Sequence, residues 1–143
     1  VQRTPGQFLL CYNIFMKENK RFSIVARIKS STHAFRGLGI MIKTTHNFWG
    51  HLFFAFLAIY LGFLVNLNTT EWLFIIFSIG LVLITETLNT AFEIDIDLTS
   101  PEYHPYARDT KDIAAGAVLL SVIFAIIVGL IIFLPKILPL INL

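Results

Sequence analysis

Seven of the nine acidic residues of this chain fall between Glu86 and Asp112. Glu86, Asn89 and Glu93 stand at i, i+3 and i+7, so a helix sets all three on one face. Two carboxylates and an amide on adjoining turns offer hard oxygen donors suited to Mg²⁺. That ion takes one or two carboxylates and completes its shell with water and phosphate. The same carboxylates can accept a proton. Glu102, Tyr103 and His104 follow, and Lys111-Asp112 then opens an apolar run. A lysine at a helix start, where backbone N–H groups favour anions, suits a phosphate. Acids, a divalent metal and one lysine at a membrane surface are the parts that phosphoryl transfer from a nucleotide requires. Spacing alone leaves other readings open. Glu93, Asp95 and Asp97 also read as solvated charges at a helix end. Glu86 with Asn89 also reads as an interhelical contact or part of an ion path, and Lys111-Asp112 as an ordinary charge pair.

The elements that must position these groups are apolar. The chain has 143 residues, 56% hydrophobic and 14% charged, with mean hydropathy +0.74. Soluble domains carry about 25% charged residues. This composition excludes a disordered chain, a nucleic-acid reader with a broad basic face and most soluble enzymes. Residues 44–70, 72–85 and 113–135 contain no Asp, Glu, Lys or Arg. A bilayer core needs about 20 apolar residues per helix. The pattern therefore predicts three spans, at about 48–67, 72–93 and 113–134. Trp72, Pro135 and Lys136 read as interface markers. Glu86 lies inside the second span, where a carboxylate costs at least about 2.5–3.5 kcal/mol on insertion scales, which makes it a functional candidate by default.

Eight of the eleven Lys and Arg residues precede residue 44, the connection 66–71 has none, and the connection at about 94–111 holds Arg108 and Lys111. The positive-inside rule then puts the N-terminus and the 94–111 connection in the cytoplasm and the C-terminus outside. Before the first span, residues 21–43 set Ile24, Ile28, Phe35, Leu38 and Ile42 on one helical stripe, with Lys29, His33, Arg36 and Lys43 opposite. A basic amphipathic helix of this kind lies on anionic membrane lipid. Residues 1–15 differ in character, and the segment starting Met16-Lys17-Glu18 reads like a bacterial start. Residues 1–15 are thus expected to be a non-native or disordered extension, and 16–143 a single membrane domain.

No Walker A motif is present, and the lone Cys11 forms no intrachain disulfide. His33, His46, His51 and His104 lack zinc spacing and read as interfacial polar side chains. Three segments carry a family likeness: Glu86-Thr-Leu-Asn89-Thr90-Ala91-Phe-Glu93, then Pro101-Glu102-Tyr103-His104-Pro105, then Lys111-Asp112-Ile-Ala-Ala-Gly-Ala117-Val118. Together they resemble the prokaryotic integral-membrane diacylglycerol kinase / undecaprenol kinase family, and the likeness runs from about Arg27 to Lys136.

The resemblance implies an all-α membrane protein, with a surface helix, three spans and a homotrimeric bundle whose active sites lie between subunits. It implies Mg²⁺, ATP as co-substrate, and a lipid alcohol, diacylglycerol or undecaprenol, phosphorylated at the inner membrane. Carried over by motif, Glu86 is the general base and Glu93 a Mg²⁺ ligand. Asn89, Glu102, Tyr103, His104, Lys111 and Asp112 meet the nucleotide. Thr45 departs from the pattern, standing where the family has a second metal-binding glutamate; either Glu93 then holds Mg²⁺ alone with water and phosphate, or Asp97 or His46 substitutes for the missing carboxylate. Thr45 also raises the alternative of a catalytically weakened lipid-binding or assembly protein on the kinase fold. A cation transporter ranks last, because Phe53–Val65 contains only Tyr60 as a polar side chain.

Overall fold

A computed structural model describes residues 24–102 and 104–141, and every described element is helical. The expectation for residues 1–15, and the side chain of Tyr103, lie outside the described residues. Four helices follow one another: α1 Ile24–Thr44, α2 His46–Leu64, α3 Thr69–Thr99 and α4 Pro105–Ile141. Among the described residues, α2, α3 and α4 are each long and apolar enough to cross a membrane. A division between two compact units falls after Gly37, and the site and core below belong to the unit beginning at Leu38.

The spanning helices run further than the apolar pattern indicates. α3 has 31 residues and α4 has 37, about 46 and 55 Å at 1.5 Å per residue. Both exceed a hydrocarbon core of about 30 Å. The connection expected at about 94–111 shrinks to residues 100–104, because the polar ends of both helices stay helical outside the apolar zone. Lys111 on α4 hydrogen-bonds Asp97 on α3 and braces these ends. At the far end α4 continues through Pro135 and Pro139. Lys136 there pairs with Glu71 of α3 at 3.1 Å, so the last turns of α4 lie beside the α2–α3 turn.

That turn is specified locally. Asn66 adopts a left-handed φ of 52°, a conformation asparagine tolerates. Leu67 N–H reaches the Gly62 carbonyl at 3.1 Å and Asn66 N–H the Phe63 carbonyl at 3.3 Å, the pairing of a Schellman stop. Asn68 then caps α3: its side chain accepts from Glu71 N–H at 3.0 Å, and the Glu71 carboxylate accepts from Asn68 N–H at 2.8 Å. Gly62 is required here. A Cβ at this position would stand 2.8 Å from the Trp72 ring and 3.0 Å from Leu67.

Leu67, Ile75 and Ile132 form the buried core at this end, with Ala58, Trp72, Val128 and Phe133 packed against them. α3 packs chiefly on α4 and less on α2. Ser121, Ala125 and Gly129, spaced by four on α4, face into the chain. Ser121 is buried and shares a 2.8 Å hydrogen bond with Thr85, while Ala125 and Gly129 line a groove described below.

Candidate active site

Along α3, residues 86, 89, 90, 93 and 97 form one stripe. Its deep end is the most buried large side chain described: Glu86 is 1% exposed. Asn89 and Thr90 are buried beside it. Asn89 donates through Nδ2 to Glu93 Oε1 at 3.0 Å, so the second carboxylate is held by the amide one turn before it. Thr90 donates to the Glu86 carbonyl at 3.0 Å. Its hydroxyl also meets that of Thr45 at 2.8 Å. Thr45 is the single extended residue between α1 and α2, and no hydrogen bond of its side chain caps α2. Where the resemblance implies a carboxylate, the chain thus has a hydroxyl that ties the start of α2 to α3.

Two polar atoms in this cluster are buried without a partner, Glu86 Oε1 and Asn89 Oδ1. A buried acceptor left unpaired costs about 1–3 kcal/mol, and more when charged. Here both fall on the face that the motif marks. Among the described residues no three His, Cys, Asp or Glu side chains converge as a metal cage. Mg²⁺ needs none: one or two carboxylates with water and phosphate satisfy it. The oxygen-rich face formed by Glu93 and Asn89 fits that requirement.

The stripe's outer end is Asp97, whose carboxylate is taken by Lys111 rather than turned toward Thr45. Asp112 pairs with Arg108 at 3.6 Å, one turn back on α4, and both side chains are largely exposed. Glu102 and His104 lie exposed in the short α3–α4 connection. The motif residues therefore form two groups. Glu86, Asn89 and Glu93 make one contiguous set, and Lys111 joins the same stripe through Asp97. Asp112, Glu102 and His104 are at the α3–α4 connection, with no described contact to that set.

His51 does not fit its reading as an interfacial side chain. It sits in the second turn of α2, mostly buried, with Nε2 3.7 Å from Glu86 Oε2. A signal was available, since an ionisable side chain in an uncharged run is itself a functional flag. His51 also lines an apolar groove of about 290 Å³ that runs between α2, α3 and α4. Phe54, Ala55 and Ala58 form its α2 wall, and Ser78 and Val82 lie on α3. Phe54 lies on the groove, and it is as exposed as its neighbours Phe53 and Phe56.

Three helices long and apolar enough to span a membrane, with a buried carboxylate next to a groove-lining histidine, define an integral membrane protein with an ionisable group set among its spans. The family model for prokaryotic diacylglycerol kinase matches residues 32–133, and the chain belongs to that family. It is 44% identical over 108 residues to an undecaprenol kinase of Bacillus subtilis (strain 168), covering 76% of this chain and 88% of the relative. It is 39% identical over 112 residues to a diacylglycerol kinase of Synechocystis sp., covering 78% of this chain and 64% of the relative. A diacylglycerol kinase of Escherichia coli (strain K12) is 29% identical over 100 residues, covering 70% and 82%. The chain is thus a bacterial membrane protein and a lipid kinase of this family, and kinase membership implies ATP as co-substrate.

Proposed function

We propose that this chain transfers the γ-phosphoryl group of ATP to the hydroxyl of a membrane lipid alcohol, undecaprenol or diacylglycerol, at the cytoplasmic face of the bacterial inner membrane. The observation that carries the reading is Glu86. It is a fully buried carboxylate with one unpartnered oxygen, on a helix face shared with Asn89 and Glu93 and 3.7 Å from His51, which lines the apolar groove. Relatives named as undecaprenol kinase and diacylglycerol kinase support the acceptor class.

In the reaction, Glu86 accepts the hydroxyl proton as the lipid oxygen forms its bond to the γ-phosphorus. The bond from that phosphorus to the β,γ-bridging oxygen breaks, and ADP leaves with the electron pair. Positioned proton transfer of this type contributes about 10²–10⁴-fold. Glu93 would hold Mg²⁺, oriented by its hydrogen bond from Asn89. When bound, that ion neutralises charge on the transferring phosphates. Asn89 orients the triphosphate, Lys111 and Asp112 contact the nucleotide, and Glu102, Tyr103 and His104 cover it. Asp97 holds Lys111 in place. The groove receives apolar chain from the lipid. Its α4 wall from Val122 to Phe133 is about 16 Å long at 1.5 Å per residue, comparable to one leaflet's hydrocarbon.

In the same reading, residues 16–143 are one kinase domain, α1 lies on the membrane with its apolar stripe in the lipid, and the N-terminus is cytoplasmic with the C-terminus outside. The chain acts as a homotrimer, for which exposed α2 and α3 residues such as Phe53, Phe56, Ile76 and Phe77 provide apolar outer surface. The test is transfer of label from γ-labelled ATP in mixed micelles containing undecaprenol or diacylglycerol, with and without Mg²⁺. Labelled lipid phosphate that requires Mg²⁺ is expected. Failure to label either alcohol overturns the reading.

A further inference from the structure

Glu86 alone gives a lipid alcohol one contact, which fixes neither the orientation of its hydroxyl nor the lone pair that meets phosphorus. His51 supplies what is missing. Its Nε2 is 3.7 Å from Glu86 Oε2, too long for a direct hydrogen bond. One oxygen could still bond both: placed about 2.8 Å from each, it would see them at an angle of about 83°. His51 also lines the apolar groove, while Glu86 Oε1 remains without a partner. An alcohol whose chain entered the groove would bring its hydroxyl to this pair.

We propose that His51 orients the acceptor by donating Nε2–H to the lipid's hydroxyl oxygen, while Glu86 takes the hydroxyl proton. A hydroxyl oxygen has two lone pairs. One accepts from His51, and the other is left facing the γ-phosphorus. His51 transfers no proton, and the bonds made and broken are those of the phosphoryl transfer above. This inference rests on the reading of Glu86 as the base, and it assigns the chain a ligand contact specific to an alcohol group.

The test compares His51→Phe with His51→Gln, whose amide keeps an N–H near the same reach. Three constants are measured: kcat/KM for the lipid alcohol, KM for ATP, and Ki for the same lipid lacking its hydroxyl. His51→Phe is expected to lower kcat/KM for the alcohol by about 10–100-fold and to leave the other two within about twofold, with His51→Gln recovering most of the loss. A purely structural role would weaken the alcohol and the deoxy lipid together, and that outcome overturns the proposal. So does a His51→Phe variant with wild-type kcat/KM. If His51→Phe does not fold, His51→Met is read on the same constants. Glu86→Gln, run alongside, separates the two claims. An inactive Glu86→Gln with a fully active His51→Phe defeats only the His51 assignment, whereas an active Glu86→Gln defeats the base itself.

Discussion

Glu86→Gln should abolish turnover and raise stability in the same molecule. The side chain is 1% exposed, its Oε1 has no hydrogen-bond partner, and the imidazole beside it, His51, has Nε2 3.7 Å from its Oε2. A buried carboxylate with so little compensation pays a desolvation penalty that a neutral amide of the same shape largely avoids. The substitution should therefore stabilise the folded protein by about 1–3 kcal/mol. Because Gln cannot accept the hydroxyl proton, kcat should fall about 10²–10⁴-fold. Stability is read by SDS titration in mixed micelles, and turnover by transfer of label from ATP to lipid. Kept turnover would remove Glu86 from the chemistry. Loss of both turnover and stability would refute the argument differently, by making Glu86 a packing group whose charge is satisfied in the fold.

Lys111→Ala should raise the KM for ATP about tenfold with little change in lipid KM, while Asp97→Asn, which removes only the brace, should raise it less. Equal effects from both would make Lys111 a brace rather than a phosphate contact. Gly62→Ala should cost about 1–2 kcal/mol in SDS unfolding, because the new Cβ meets the Trp72 ring at 2.8 Å and this outweighs the helical preference for alanine. A more stable Gly62→Ala would show that the ring yields freely. Thr45→Glu exchanges a hydroxyl pair with Thr90 for a carboxylate beside Thr90, on the stripe that carries Glu86 and Glu93. The Mg²⁺ concentration for half-maximal activity should drop several-fold, on the order of one added carboxylate ligand. An unchanged Mg²⁺ requirement would place Thr45 away from the metal.

The sequence announces the helices and their polar stripe because both are periodic. Uncharged runs long enough to span lipid admit only helices, and spacings of three, four and seven put Glu86, Asn89 and Glu93 together without tertiary information. Helix ends were less legible. Apolar content marks where lipid ends, not where hydrogen bonding ends, so α3 runs on to Thr99 and α4 begins at Pro105. Contacts between helices were hidden for a different reason. That His51 faces Glu86, Thr45 faces Thr90 and Ser121 faces Thr85 depends on the rotation of each helix about its axis. A lone histidine or threonine in an apolar run does not encode that rotation. The Lys111–Asp97 pair was hidden likewise, since it needs the short α3–α4 connection to bring the two helix ends side by side.

The placement of small and polar residues explains why the site has the depth it has. On α3, Ile75, Ser78 and Val82 precede Glu86 on the inward side, so one helix face changes from apolar to polar. Opposite the apolar part, α2 and α4 contribute Ala55, Ala58, Ala125 and Gly129, which leave the groove open where larger side chains would have filled it. Opposite the polar part they contribute His51, and Thr45 lies just ahead of α2, giving hydrogen-bonding groups rather than bulk. An apolar chain and a charged phosphate have opposite preferences for depth in a bilayer. The proposed reaction needs both held against one carboxylate, which the change in this face's character permits, and Glu86 is the residue at that boundary.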